Sequence, residues 1–195
     1  DVPVEPGKSL IIALNAKNHT EANTNSCDLT KADFEFYDES PNPRFQDDDN
    51  AAPNLDKWYC YTATLFGLHN RGFKSYAIAR MHGDKEKYLE ENSYTADYVM
   101  EFGGNAYPMT NKNCVKVLNS WILDAVNLCV ASEWQWNVVA ASLDAGWAHC
   151  GEVDRDMNRY GKSVIRKKDA DGKWIDTNNS TADFESDAPA SLLQK

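Results

Sequence analysis

Residues 113–129, NCVKVLNSWILDAVNLC, carry apolar positions at helical spacing. At about 100° per residue, Val117, Leu118, Trp121, Ile122, Ala125 and Leu128 share one side with Cys114 and Cys129. Lys116, Asn119, Ser120, Asp124 and Asn127 take the other side, and Leu123 is the exception. The pattern predicts one long amphipathic helix, with Thr110, Asn111 or Asn113 available to cap its first turn. At about 1.5 Å of rise per residue, the two sulfurs of such a helix stand on the order of 22 Å apart along its axis. A disulfide needs Cα atoms within roughly 7 Å. Cys114 and Cys129 are therefore expected to reach other elements rather than each other.

Elsewhere the period shortens to two. WYCYTATLFGL and FKSYAIARMH flank HNRG and predict a β-hairpin. DYVMEF reads as a strand ending at Gly103-Gly104, EWQWNVVAASL as another, and KSVIRKK and KWID as a second hairpin about DADG. DKEKYLEEN predicts a short helix, and SLIIALN and ADFEFY short strands. These elements predict an α+β fold, an antiparallel β-sheet with one long amphipathic helix packed on it. Residues 1–57 read as an irregular N-terminal arm with a short strand, 58–177 as the α+β core domain, and 178–195 as a polar C-terminal tail.

The chain has 195 residues, 42% of them hydrophobic, with six tryptophans, which suits a globular body. No run of 18 apolar residues is present, so no transmembrane helix is expected. Five cysteines, Cys27, Cys60, Cys114, Cys129 and Cys150, lack metal-ligand spacing, and neither a metal nor a cofactor is expected. Asn18-His-Thr, Asn178-Asn-Ser and Asn179-Ser-Thr are N-glycosylation acceptor patterns. With the cysteines they point to a secreted glycoprotein braced by two disulfides, with one thiol over. A net charge of −10 argues against nucleic acid as a partner, because phosphate recognition needs a basic face.

No nucleophile-elbow, zincin, P-loop or dinucleotide-binding motif occurs. The densest polar stretch is GWAHCGEVDRDMNR, residues 146–159, holding His149, Glu152, Asp154, Arg155, Asp156 and Arg159. His149 and Glu152 have the chemistry for acid–base cleavage of a phosphodiester or glycosidic bond. The same stretch, bracketed by Gly146, Gly151 and Gly161, also reads as a solvated connection, which needs no catalytic reason to be charged. Trp58, Trp134, Trp136, Trp147 and Trp174 suit either a carbohydrate-stacking platform or a core.

The pattern Cys-x-x-x-Leu-x-x-x-Ile-Leu-x-x-x-x-x-Cys from Cys114 to Cys129, followed by a Trp-rich strand, resembles small secreted fungal effectors of the Ecp2-like and killer-toxin-like type. The likeness covers residues 95–152. It implies an α/β sandwich, secretion, and a non-enzymatic role exerted by binding a host or competitor target. Two function classes follow: a secreted effector or toxin-like protein whose partner is a host protein or extracellular glycan, and, as the alternative, a secreted hydrolase of glycan or RNA.

Overall fold

The computed structural model describes residues 3–37, 40, 42–59, 74–132, 139–154, 156–159 and 161–190. In chain order its elements are β1 (Ile12–Ala13), β2 (Phe34–Glu35), β3 (Lys74–Ala79), α1 (Lys85–Asn92), β4 (Ser93–Phe102), β5 (Asn105–Val115), β6 (Ile122–Cys129), β7 (Ala148–His149), β8 (Lys162–Arg166), α2 (Ser180–Asp183) and β9 (Phe184–Pro189).

The long helix does not form. Residues 113–129 are the end of β5, a connection with a 3₁₀ turn at Asn119–Trp121, and β6. The reason is local. Val115, Val117, Ile122 and Val126 are β-branched, and Asn113, Asn119, Ser120 and Asn127 compete for backbone hydrogen bonds, so helix propensity is poor throughout. Residues four apart share a face in a strand as well as in a helix, so the Trp121, Ala125, Cys129 spacing fits both periods. The burial pattern decides between them. Ala125, Asn127 and Cys129 are buried at alternate positions of β6, while Val117 and Leu118 of the expected stripe are exposed.

The fold is accordingly mostly β, with α1 the one helix of seven residues or more among the described residues. Asp84 caps α1, its carboxylate accepting the Lys87 N–H at 3.0 Å. The strands form several small sheets rather than one. β3 pairs antiparallel with β6, which pairs parallel with β7. β4 pairs with β5, and β8 with β9, both antiparallel, while β1 and β2 form a short parallel pair. Of the predicted first hairpin, residues 60–73 lie outside the described residues, and β3 finds its partner in β6. Residues 133–138 of the predicted Trp-rich strand also lie outside them. The DADG turn forms, with Lys168 bridged to Trp174, but β8 takes β9 as its main partner. The C-terminal segment read as polar tail supplies α2 and β9.

Disulfide bracing is likewise corrected: no disulfide forms among the described cysteines. Cys27 and Cys150, in connecting segments, and Cys114, in β5, carry free thiols, Cys129 is buried at the end of β6, and Cys60 lies outside the described residues. Buried carboxylates do the tying instead. Asp144, fully buried, accepts the N–H groups of Asn127 at 2.8 Å, Gly146 at 3.0 Å and Ser180 at 2.8 Å. Glu35, also fully buried, accepts the N–H groups of Ala16 at 2.8 Å and Asn50 at 2.7 Å, which orders the N-terminal arm. Arg166 of β8 donates to Asp124 of β6 at 2.5 Å and to the Ile175 carbonyl at 2.8 Å. A buried charge is tolerated only with partners of this kind.

Candidate functional site

Among the described residues of 146–159, no hydrogen bond or ion pair joins His149 to Glu152. His149 lies half-buried in β7, and its Nδ1 has no hydrogen-bond partner. The nearest carboxylate oxygen in an ion pair with it is Asp187 Oδ2 at 3.9 Å, beyond hydrogen-bonding distance. Glu152 is exposed in the following turn, where its N–H donates to Asp156 at 3.2 Å. Asp156 also accepts the Asn158 N–H at 2.9 Å, and these backbone donors, Asn158 first, hold its carboxyl below the usual range. That is turn chemistry. Arg159 is buried, Asp154 half-buried, and Arg155 outside the described residues. Burial, reinforced by the Asp187 charge, pushes the Cys150 thiol up, which disfavours the thiolate a nucleophile requires.

The three glycosylation patterns separate structurally. Ser180 of the Asn178 pattern is buried and gives its hydroxyl to Asp144 at 2.5 Å. In the Asn179 pattern, Asn179 accepts the Thr181 N–H at 3.1 Å as the cap of α2. A Cβ placed on Gly146 would stand 2.2 Å from Asn179 Oδ1, so the backbone leaves that amide little space. Asn18 is half-buried in the arm and caps the 3₁₀ turn His19–Glu21, its side chain accepting the Thr20 N–H at 3.1 Å and the Thr20 hydroxyl at 2.6 Å. It is the one acceptor of the three not built into the packed C-terminal region.

Among the described residues, the tryptophans do not gather into one platform. Trp58 and Trp121 pack against Tyr88 on α1, with ring centroids 6.2 and 5.2 Å apart. Trp174 is exposed under the Lys168 ammonium, 4.2 Å from its ring centre, Trp147 is half-buried, and Trp134 and Trp136 lie outside the described residues. Among the described residues, no three His, Cys, Asp or Glu side chains gather as a metal-holding group, and no helix is long and apolar enough to cross a membrane.

The feature that stands out is the β4–β5 hairpin. Its strands of 10 and 11 residues are joined by Gly103 and Gly104, both at positive φ, 58° and 78°. Two adjacent residues in that conformation make the turn whose twist matches a tight hairpin. Tyr98 stands opposite Met109, Met100 opposite Tyr107, and Phe102 opposite Asn105. Directly opposed residues share a face, and alternate residues along a strand share it too. One face therefore carries Tyr94, Tyr98, Met100, Phe102, Tyr107 and Met109, all exposed, with Phe102 at 75%. The other face carries Asp97, Val99, Glu101, Ala106, Pro108 and Thr110, with the Thr110 hydroxyl donating to Asp97 at 2.7 Å. Every residue from 97 to 110 is exposed.

The first of these strands is the expected DYVMEF strand, whereas Thr110, Asn111 and Asn113, expected as caps of a helix, lie in the second. The available signal was Gly-Gly between two apolar-alternating runs.

Fold and surface together define a small β-rich protein with a projecting amphipathic hairpin. The family model of DUF4876, described as a protein of unknown function, matches residues 5–191, and the chain belongs to that family. No curated protein and no solved structure matches it.

Proposed function

We propose that this chain is a secreted, non-enzymatic protein that acts by binding a macromolecular target, and that the apolar face of the 93–115 hairpin is its contact surface. The observation that carries the reading is the row of Tyr98, Met100, Phe102, Tyr107 and Met109 standing in solvent on a single face. Contiguous exposed apolar patches mark interaction sites, and aromatic residues and methionine are the types enriched at protein interfaces. A two-stranded ribbon is at best marginally stable alone in water, so a cover on this face would also steady it. Secretion rests on the acceptor patterns, Asn18 above all. The hydrolase alternative gains no support from His149 and Glu152, which meet no common partner.

Photo-crosslinking tests this directly. A benzophenone amino acid replacing Phe102, in the full chain exposed to its native milieu, should give discrete macromolecular adducts. The same group replacing the equally exposed Trp174 serves as control. No adduct at position 102 above the level at 174 would overturn the proposal.

A further inference from the structure

We infer that the partner covering the hairpin face is a second copy of this chain, stacked face to face about a two-fold axis. The inference rests on the reading of this face as a contact surface and specifies its occupant. The decisive feature is the arrangement of its four central side chains. Tyr98 and Met109 form one cross-strand row, and Met100 and Tyr107 the next. Tyrosines thus occupy one diagonal of a square and methionines the other. A two-fold axis parallel to the sheet, midway between the two copies and over the centre of that square, exchanges the strands if it runs along them and the rows if it runs across them. In both cases each tyrosine comes to lie on a methionine of the second copy. Thioether-on-aromatic contacts are favourable, and sheets stack about 10 Å apart. The face is complementary to itself, which is what an isologous dimer requires.

Area and charge agree. Six side chains exposed by between 38% and 75%, at about 200 Å² each, offer about 600 Å² per copy, close to the roughly 800 Å² per partner of standard interfaces. Asp97 and Glu101 lie on the opposite face, so two chains of net charge −10 meet without placing hairpin carboxylates in the contact. A lipid surface fits less well. Glu101 sits beside the tip, and the overall charge repels anionic headgroups. Open-ended stacking through strand edges is also opposed: Pro108 removes a donor from β5, and the register shift between Tyr94 and Ala96 distorts the ladder. A closed pair is the geometry left.

The experiment uses the full chain. Sedimentation velocity over a concentration series should show a monomer–dimer equilibrium for the wild type. The Met100→Ser/Met109→Ser variant should associate about tenfold more weakly or worse, with an unchanged far-ultraviolet spectrum. Should that variant misfold, a second arm needs only conservative chemistry. A benzophenone at position 98, in a mixture of isotopically light and heavy chains, should crosslink to Met100 or Met109 of the other copy, giving mixed-label peptides. A monomeric wild type, a dimer indifferent to the methionines, or same-label crosslinks alone would overturn the inference. Adducts from position 102 to other macromolecules, with the chain itself monomeric, would overturn self-association while leaving the contact surface standing. Binding to neutral or anionic vesicles by a monomeric chain would assign the face to lipid instead.

Discussion

Ser180 gives both its N–H, at 2.8 Å, and its hydroxyl, at 2.5 Å, to the carboxylate of Asp144, 36 residues earlier in the chain. The same carboxylate takes the N–H groups of Asn127 and Gly146. One buried side chain therefore joins β6, the turn before β7, and the start of α2. Replacing Asp144 with Ala would leave all of these donors without an acceptor. Each unsatisfied buried donor costs about 1–3 kcal/mol, so Asp144→Ala is expected to lose at least about 3 kcal/mol. Ser180→Ala, which removes one donor and keeps the acceptor supplied, should lose about 1–2 kcal/mol. Urea unfolding of the two variants measures both.

Asp183 provides a pH dependence of known sign. Burial raises its pKa, but the Thr177 hydroxyl and N–H, the Asn179 N–H and the Arg166 charge outweigh that and hold the carboxyl below its ordinary 3.8. A folded pKa below the unfolded value contributes stability that is fully present above 3.8 and is lost as pH falls through the lower folded value. Urea midpoints should therefore drop as pH is lowered from 5 towards acid. Asp183→Asn should be less stable at neutral pH and should show a flatter acid limb. An identical pH profile in the variant would contradict the assignment.

Cys150 is expected to react slowly. Its thiol is pushed up by burial and by Asp187, against a smaller opposing effect of Lys162. Iodoacetamide at pH 8 should alkylate it more slowly in the folded chain than in urea. Asp187→Asn should speed the folded-state reaction, because it removes the charge while leaving an oxygen for the Gly151 N–H, which Asp187 now accepts at 2.8 Å. Position 187 has φ of 56°, a conformation that Asn tolerates.

The short elements were the more legible part of this chain. DKEKYLEEN carries its cap, Asp84, and its helical spacing in nine consecutive residues, and α1 forms there. The stretch from 113 to 129 misled because residues four apart satisfy both periods, and only the tertiary fact that Ala125, Asn127 and Cys129 are buried in alternation resolves it. Asp144 and Glu35 were invisible for a different reason. Acidic residues read as surface, and nothing local announces that three backbone donors converge on Asp144 and two on Glu35. The hairpin was half legible: Tyr98, Met100 and Phe102 show the alternation, but an apolar stripe normally implies a core, and here it faces water.

Whether the stripe of Tyr98, Met100 and Phe102 faces water is decided by one measurement. The triple variant Met100→Ser/Phe102→Ser/Tyr107→Ser is unfolded by urea beside the wild type, both dilute enough to be monomeric. If the face is a working surface rather than part of the chain's own core, the variant loses only cross-strand pair energy and stays within about 1 kcal/mol of the wild type. If those side chains are packed against the body of the protein, each truncation costs about 2–5 kcal/mol, and a variant that unfolds cooperatively at far lower urea contradicts the account.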